Sequence, residues 1–437
     1  MAAIRYRTLF SYSGATFVAV GFAARLPLAM SQLGTMLLVS SPMVAGRMGP
    51  GGIAAGAVAL ANAIGSPLFG GLTDRRGQRG LMILQAMAGG IALIVEAVVA
   101  VIGAPWPVVA AIGAVAGFFM PQIGTMARVR WRQIAAARPA QRAGILETSF
   151  AWEGSGDEAS FALGPALTGV LAVALGPVWA IVVAGVMLLV FGTWFAVHPT
   201  VRLVKATARA ASARSAAAGS SSGPTRERLF TPGVLAATLG LLMIGVIFGS
   251  VQTGTTTLAT AAGRPGLAGL LHAVLSIGSA TAGLLLPRLA HRVGLVGRWR
   301  VFATALAVLT LPLLAVNTLG GLLPELLVLG LAVAPYLITL YSVAERAARP
   351  SRIGAAMTVL AATTSLGYSL GASIAGQLAD WGGHTPAYAV TVCAGAIACL
   401  LGWLVARRVT PAPRVHDPRK PRAGRRWSPT DRVLRLR

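Results

Sequence analysis

The chain has 437 residues, of which 55% are hydrophobic and only 11% charged, with a net charge of +25 and a mean hydropathy of +0.73. A soluble domain carries roughly a quarter charged residues, so this composition excludes a soluble multidomain protein. It predicts an all-α, polytopic membrane chain, and the place of the basic excess matters more than its size.

Stretches of about 20 apolar residues, enough to cross a bilayer at about 1.5 Å rise per residue, recur along the whole sequence. Twelve spans are expected, near 10–38, 52–72, 80–103, 107–128, 144–174, 177–198, 232–258, 265–287, 300–317, 320–343, 353–379 and 386–406. The first has no cleavage-like end and reads as a span rather than a removable signal. With both termini on the cytoplasmic side of a cell membrane, all but three of the 37 Lys and Arg residues fall on that side. The three are Arg25, Arg47 and Arg264. This is the positive-inside bias, and it assigns the basic excess to topology and anionic lipid contact. No nucleic-acid partner is expected, because the basic tail offers no base-stacking aromatic apart from Trp427.

Span 1 holds Arg25 in "AVGFAARLPLAM", followed by Pro27. An arginine at that depth needs a partner or water. Span 2 ends in "GGLTDRRG", Gly70 to Gly77, where Asp74, Arg75 and Arg76 crowd a short turn. Glu96 lies inside span 3. Span 5 opens with "LETSFAWEGSGDEASFALGP", which holds Glu147, Glu153, Asp157 and Glu158, a third of the 12 acidic residues in the chain. At about 100° per residue, Glu153 and Asp157 share a face that continues through Ser160, Gly164 and Thr168. Glu147 is interfacial. Two roles compete for the deeper three: an ion pair between Arg25 and Asp157 or Glu158, and proton carriage by a carboxylate that loads and unloads as access alternates. A hydrated vestibule without coupling is the bland alternative.

Residues 199–231 are rich in Ala, Ser, Gly and Arg, and read as a cytoplasmic linker. It separates an N-terminal bundle, residues 1–198, from a C-terminal bundle, residues 232–406, with a basic cytoplasmic tail over 407–437. After span 8 "PRLAHRVG" echoes "GGLTDRRG" at the matching place, which favours two duplicated six-helix bundles. "GQLADWGG", Gly376 to Gly383, has similar spacing after span 11 but falls on the outer side, where it reads as coincidence. Gly52 with Gly56, and Gly367 with Gly371, form pairs suited to close helix packing. Cys393 and Cys399, on one helix, make no disulfide framework. The five His residues have no ligand spacing, so neither metal nor cofactor is expected. No Gly-rich loop precedes either lysine, and no hydrolase motif appears, so an enzyme is not expected.

"GGLTDRRGQR" resembles the loop motif between spans 2 and 3 of the major facilitator superfamily, and the twelve-span layout with a long basic central loop is similar over the whole chain. "LGPALTG", with Gly164 and Pro165, resembles the fifth-span bend motif of bacterial efflux members. The resemblance implies two pseudo-symmetric six-helix bundles that move a small-molecule substrate by alternating access. It also implies a monomer, protons as coupling ion, and Asp74 closing the cytoplasmic face against the start of span 11. The sequence departs from the antiporter pattern at Ser160 and at Thr168–Gly169, and "GFFMPQIGTMARVR" holds Gln122 and Gly124 but no arginine in mid-span.

Overall fold

The computed structural model describes residues 5–204, 231–290, 293–349 and 353–405, with the side chains of 74–75, 287–290, 353–355 and 405 outside the description. The basic tail, nearly all of the linker and part of the "PRLAHRVG" echo therefore lie outside the described residues. All regular structure among the described residues is helical.

The first expected span is three helices: α1 (Tyr6–Ser13), α2 (Ala15–Ala23) and α3 (Leu26–Ser40). Gly14 separates the first two with φ +83°, a conformation that other residues rarely adopt. Pro27 explains the second break, because its ring clashes with the carbonyl four residues back, at Ala23, where α2 stops. Next come α4 (Met48–Arg76) and α5 (Gln78–Val101). The expected loop Gly70–Gly77 is thus mostly helix: Asp74, Arg75 and Arg76 ride the last turn of α4, and only Gly77 lies between the two helices, at φ +87°. Its N–H closes the helix on the Thr73 carbonyl.

Span 4 is also broken. It comprises α6 (Trp106–Phe118) and α7 (Ile123–Ala136), parted around Pro121. An unbroken α8 (Arg142–Leu175) follows, with Pro165 inside it. Then α9 (Pro177–Met187) passes through a π-helical turn into α10 (Thr193–Val197). Beyond the linker lie α11 (Pro232–Ala261), α12 (Leu267–Ala290), α13 (Leu295–Leu309), α14 (Leu319–Ala347), α15 (Ile353–Gly382) and α16 (His384–Val405).

Among the described residues, 11 helical segments are long and apolar enough to cross a membrane. The expected span over 353–379 corresponds to α15, which has 30 residues and begins among side chains outside the description. Helix pairings recur on either side of the linker. In the N-terminal set α3 packs on α8, α4 on α6, and α5 on α9. In the C-terminal set the corresponding spans pair likewise: α11 on α15, α12 on α14, and α13 on α16.

The two sets meet along two seams, α4 with α15 and α8 with α12. Both are lined by small residues. A Cβ added to Gly56 would lie 2.8 Å from the Ser369 carbonyl, and one at Gly376 2.8 Å from that of Met48. In the second seam Gly169 and Gly269 face each other, and a Cβ at Gly269 would run into the Pro165 carbonyl. Such seams need Gly for backbones to approach this closely. The first seam is also tied by charge. Asp380 of α15 accepts hydrogen bonds from the Met48 N–H at 2.7 Å and the Gly49 N–H at 3.0 Å, and lies 3.2 Å from Arg47. A carboxylate on the exposed N–H groups of a helix start is well matched to their partial positive charge. The "GQLADWGG" segment is therefore not idle: its Asp joins the two sets of spans.

Candidate functional site: a charge cluster at two helix breaks

Arg25 sits at the break between α2 and α3, only 7% exposed. Its guanidinium donates through Nη2 to Glu153 Oε2, and its Nε lies 3.3 Å from Asp157 Oδ1. Both acids are on α8, one turn apart, as their shared face requires. That face packs on α3, with Gly164 against Ala29 and Thr168 beside Gly34. Small residues let the charges meet: Arg25 occupies the space a Cβ would take on Gly156, and Asp157 the space of one on Gly124.

The cluster has a second cation. Arg128, on α7, donates from Nη2 to Asp157 Oδ2 at 2.7 Å. Trp131, one turn further along α7, donates from its indole N–H to Glu153 Oε1 at 2.6 Å. Two guanidiniums therefore face two carboxylates, and the surplus negative charge expected around Arg25 is largely offset. Of the expected candidates, Glu158 stands apart. It is exposed, as is Glu147, and neither takes part in an ion pair among the described residues.

Arg25, Gln122, Arg128, Asp157 and Ser160 line a cavity of about 90 Å³. Gln122 belongs to the segment that parts α6 from α7, so both helix breaks open on this cavity. Irregular backbone at membrane depth is tolerated where it lines a cavity. The space is enough for several waters or the polar end of a small solute.

Arg128 and Trp131 were not singled out in the sequence because Arg128 falls where the apolar run thins and resembles a loop cation. Their i,i+3 spacing, with Gly124 one turn earlier on the same face, is the signal that marks them. Arg130, two residues on, is fully buried without a carboxylate. It donates to Gln78 Oε1 at 3.1 Å, the Phe195 carbonyl at 2.8 Å and Thr200 Oγ1 at 3.2 Å, with its guanidinium 4.0 Å from the Phe195 ring centre. It fastens α7 to the start of α5 and the end of α10. Glu96 is also fully buried, away from the cluster; Thr35 donates to its Oε1 at 2.7 Å, while Oε2 has no partner.

Of the turn candidates, Gly70, Asp74, Arg75 and Arg76 end α4 and Gly77 closes it, while the side chains of Asp74 and Arg75 lie outside the described residues. Gly164 and Pro165 sit where α8 meets α3 and α12, facing Ala29 on one side and Gly269 on the other.

A profile of the Major Facilitator Superfamily matches residues 8–323 and 326–437. No curated protein sequence matches the chain. Among solved structures, the chain is similar to the nucleoside transporter NupG, with a TM-score of 0.63 at 14% identity over 90% of this chain and 98% of the other. It is similar also to the xylose transporter XylE from E. coli in a partially occluded inward-open conformation, with a TM-score of 0.62 at 13% identity over 89% and 98%. At such identities the likeness is one of fold.

Proposed function

The chain belongs to the Major Facilitator Superfamily, and from that premise we propose that it is a secondary active transporter exporting a small organic solute in exchange for protons. The exchange runs by alternating access between two six-helix bundles, with α15 as one of twelve spans. The protein acts as a monomer in the cell membrane with both termini cytoplasmic, in keeping with the charge bias of its loops. The observation that carries the coupling is the cluster of Arg25, Glu153, Asp157 and Arg128, buried or half-buried at two helix breaks and bordering a cavity. A carboxylate there exchanges its ion pair for a proton when the cavity opens to the other side. Asp157 is the member best placed for this, since it alone of the two acids lines the cavity. Glu158, exposed one residue later, is the first relay candidate.

On the cytoplasmic face Asp74, with Arg75 and Arg76, latches the end of α4 to the start of α15. On the opposite face the tie from Asp380 to the start of α4 alternates with it. Export is the direction favoured by the Gly164–Pro165 stretch and its resemblance to efflux members. Uptake is the second reading, favoured by fold likeness to a nucleoside and a xylose transporter.

The test is reconstitution into liposomes with a pH-sensitive dye inside and an imposed pH gradient, presenting nucleosides, xylose, organic anions and organic cations in turn. Solute-evoked proton movement in the wild type, lost in Asp157→Asn, is the expected result. Solute flux that ignores the gradient in both proteins sinks proton coupling by this cluster.

A further inference from the structure

The charged groups around the cavity are not evenly divided. Arg25, Arg128 and Asp157 line it, two guanidiniums to one carboxylate, while Glu153 is turned to Trp131 and does not border the space. Asp157 is thus the only anion between two cations that face the same void, reaching Arg25 with one oxygen and Arg128 with the other. Arg25 is held from behind by Glu153, yet its buried Nε has no hydrogen-bond partner, the 3.3 Å approach of Asp157 being too poorly aligned to supply one. An unbonded donor on a side chain more than nine-tenths buried, in a residue that borders a polar cavity, is costly unless something takes it up.

We infer that the cavity is a binding site for a carboxylate-bearing solute, whose carboxylate takes the place of Asp157 between Arg25 and Arg128. The inference rests on the proton-coupled reading above and gives it a substrate class; because proton and solute then bind together, it favours the uptake form of that reading over exchange. Asp157 and the ligand compete for the same two guanidiniums. When the Asp157 carboxylate takes a proton it becomes a neutral acid and no longer balances Arg128. The cavity lining then carries two positive charges, and a planar carboxylate satisfies both guanidinium faces by paired hydrogen bonds. Gln122 and Ser160 border the same space and offer neutral donors and acceptors to the rest of the solute. Phe161, also on the lining, gives an apolar wall.

The other groups near Asp157 are compatible with this exchange. Of the helices packed on α8, α3 brings Arg25, α7 brings Arg128, Arg130 and Arg132, α12 brings His272 among its described side chains, α1 brings Tyr6, Arg7 and Tyr12, and α9 brings nothing titratable. Glu147, Glu153 and Glu158 are the other acids on α8 itself, which begins at Arg142. Only Arg25 and Arg128 come within ion-pairing distance of Asp157 among the described residues. Arg132 lies over the Phe150 ring instead.

The experiment uses the full chain in lipid nanodiscs and calorimetric titration with acetate, lactate and benzoate, against acetamide, lactamide and benzamide as uncharged counterparts. Wild type is expected to bind at least one carboxylate about tenfold more tightly at pH 5.5 than at pH 7.5, and no amide at either. Asp157→Asn, which mimics the protonated acid without changing its shape, is expected to bind at pH 7.5 as wild type does at pH 5.5. Arg128→Gln is expected to weaken binding about tenfold or more, and Arg128→Lys to recover part of it. Should Arg128→Gln fail to fold, the Asp157→Asn comparison alone decides. Equal binding of acids and amides, or carboxylate binding that ignores both Asp157→Asn and Arg128→Gln, overturns the inference. Proton flux evoked by a neutral or cationic solute, with no carboxylate bound, overturns the substrate class while leaving coupling intact. Carboxylate binding that follows the expected pattern but moves no proton supports the site and overturns coupling.

Discussion

Asp380 caps the helix that Met48 begins, although the two residues belong to opposite sets of spans. Its carboxylate takes up two N–H groups that no intrahelical carbonyl can satisfy, and draws Arg47 alongside. Arg47 is 67% exposed, so the ion pair adds little and the cap carries most of the effect.

Asp380→Ala is expected to remove about 1 kcal/mol from the closed form of this seam, a several-fold shift in the equilibrium between open and closed. Thiol labelling of a cysteine placed at Met48, a buried side chain of this seam, in a background with Cys393 and Cys399 changed to Ala, should become faster. Unchanged labelling would show that the seam holds by its small residues alone.

Gly124 and Gly156 invert the usual rule for helices. Gly→Ala in a helix interior ordinarily stabilises by up to about 1 kcal/mol. Here the added Cβ meets the Asp157 carboxylate or the Arg25 guanidinium. Gly156→Ala and Gly124→Ala are therefore expected to lower the thermal stability of the purified protein and to abolish solute-evoked proton movement, with helix content by circular dichroism unchanged.

Removing Arg25 leaves Glu153 with only Trp131, and Asp157 with only Arg128. Loss of one partner from a buried pair costs about 3–5 kcal/mol. Arg25→Ala should be expressed poorly, and Arg25→Ala combined with Glu153→Ala should recover much of the yield and melting temperature. A double variant no better than the single one would count against the pair as the source of the damage.

Thr35→Val tests the isolated Glu96. It leaves a fully buried carboxyl with neither oxygen bonded, a loss of about 1–3 kcal/mol. Thermal unfolding should report it, while the pH dependence of transport should stay as in wild type, because Glu96 lies outside the cluster.

Much of this arrangement could be read from the residues. The apolar runs announce the spans because a bilayer demands about 20 such residues each. Arg25 announces the site because a lone cation at that depth needs company; of its two expected partners Asp157 is one, while Glu158 gives way to Glu153, which shares the Asp157 face. Arg128 was hidden by its neighbours: Arg130 and Arg132 make the stretch look like a cytoplasmic loop, whereas α7 carries all three inside a helix. Asp380 was hidden for a different reason. Its partner is backbone from a helix more than three hundred residues away, and no sequence spacing encodes such a contact. The turn after span 2 reads as a loop because Gly and charge cluster there, yet Gly77 alone supplies the reversal and the charges stay helical.

The seam between α4 and α15 has one further consequence. Gly52, Gly56 and Gly376 set main chain against main chain, with Ala372 and Ser369 opposite. Interlocked side chains would resist rotation like gear teeth and would have to repack at every turnover. Under the proposed alternating access, two smooth backbone surfaces act as a bearing on which one set of spans rolls against the other. Tightness and mobility, usually opposed in a protein interior, are here supplied by the same residues. Gly56→Leu should cost the protein its motion before its fold.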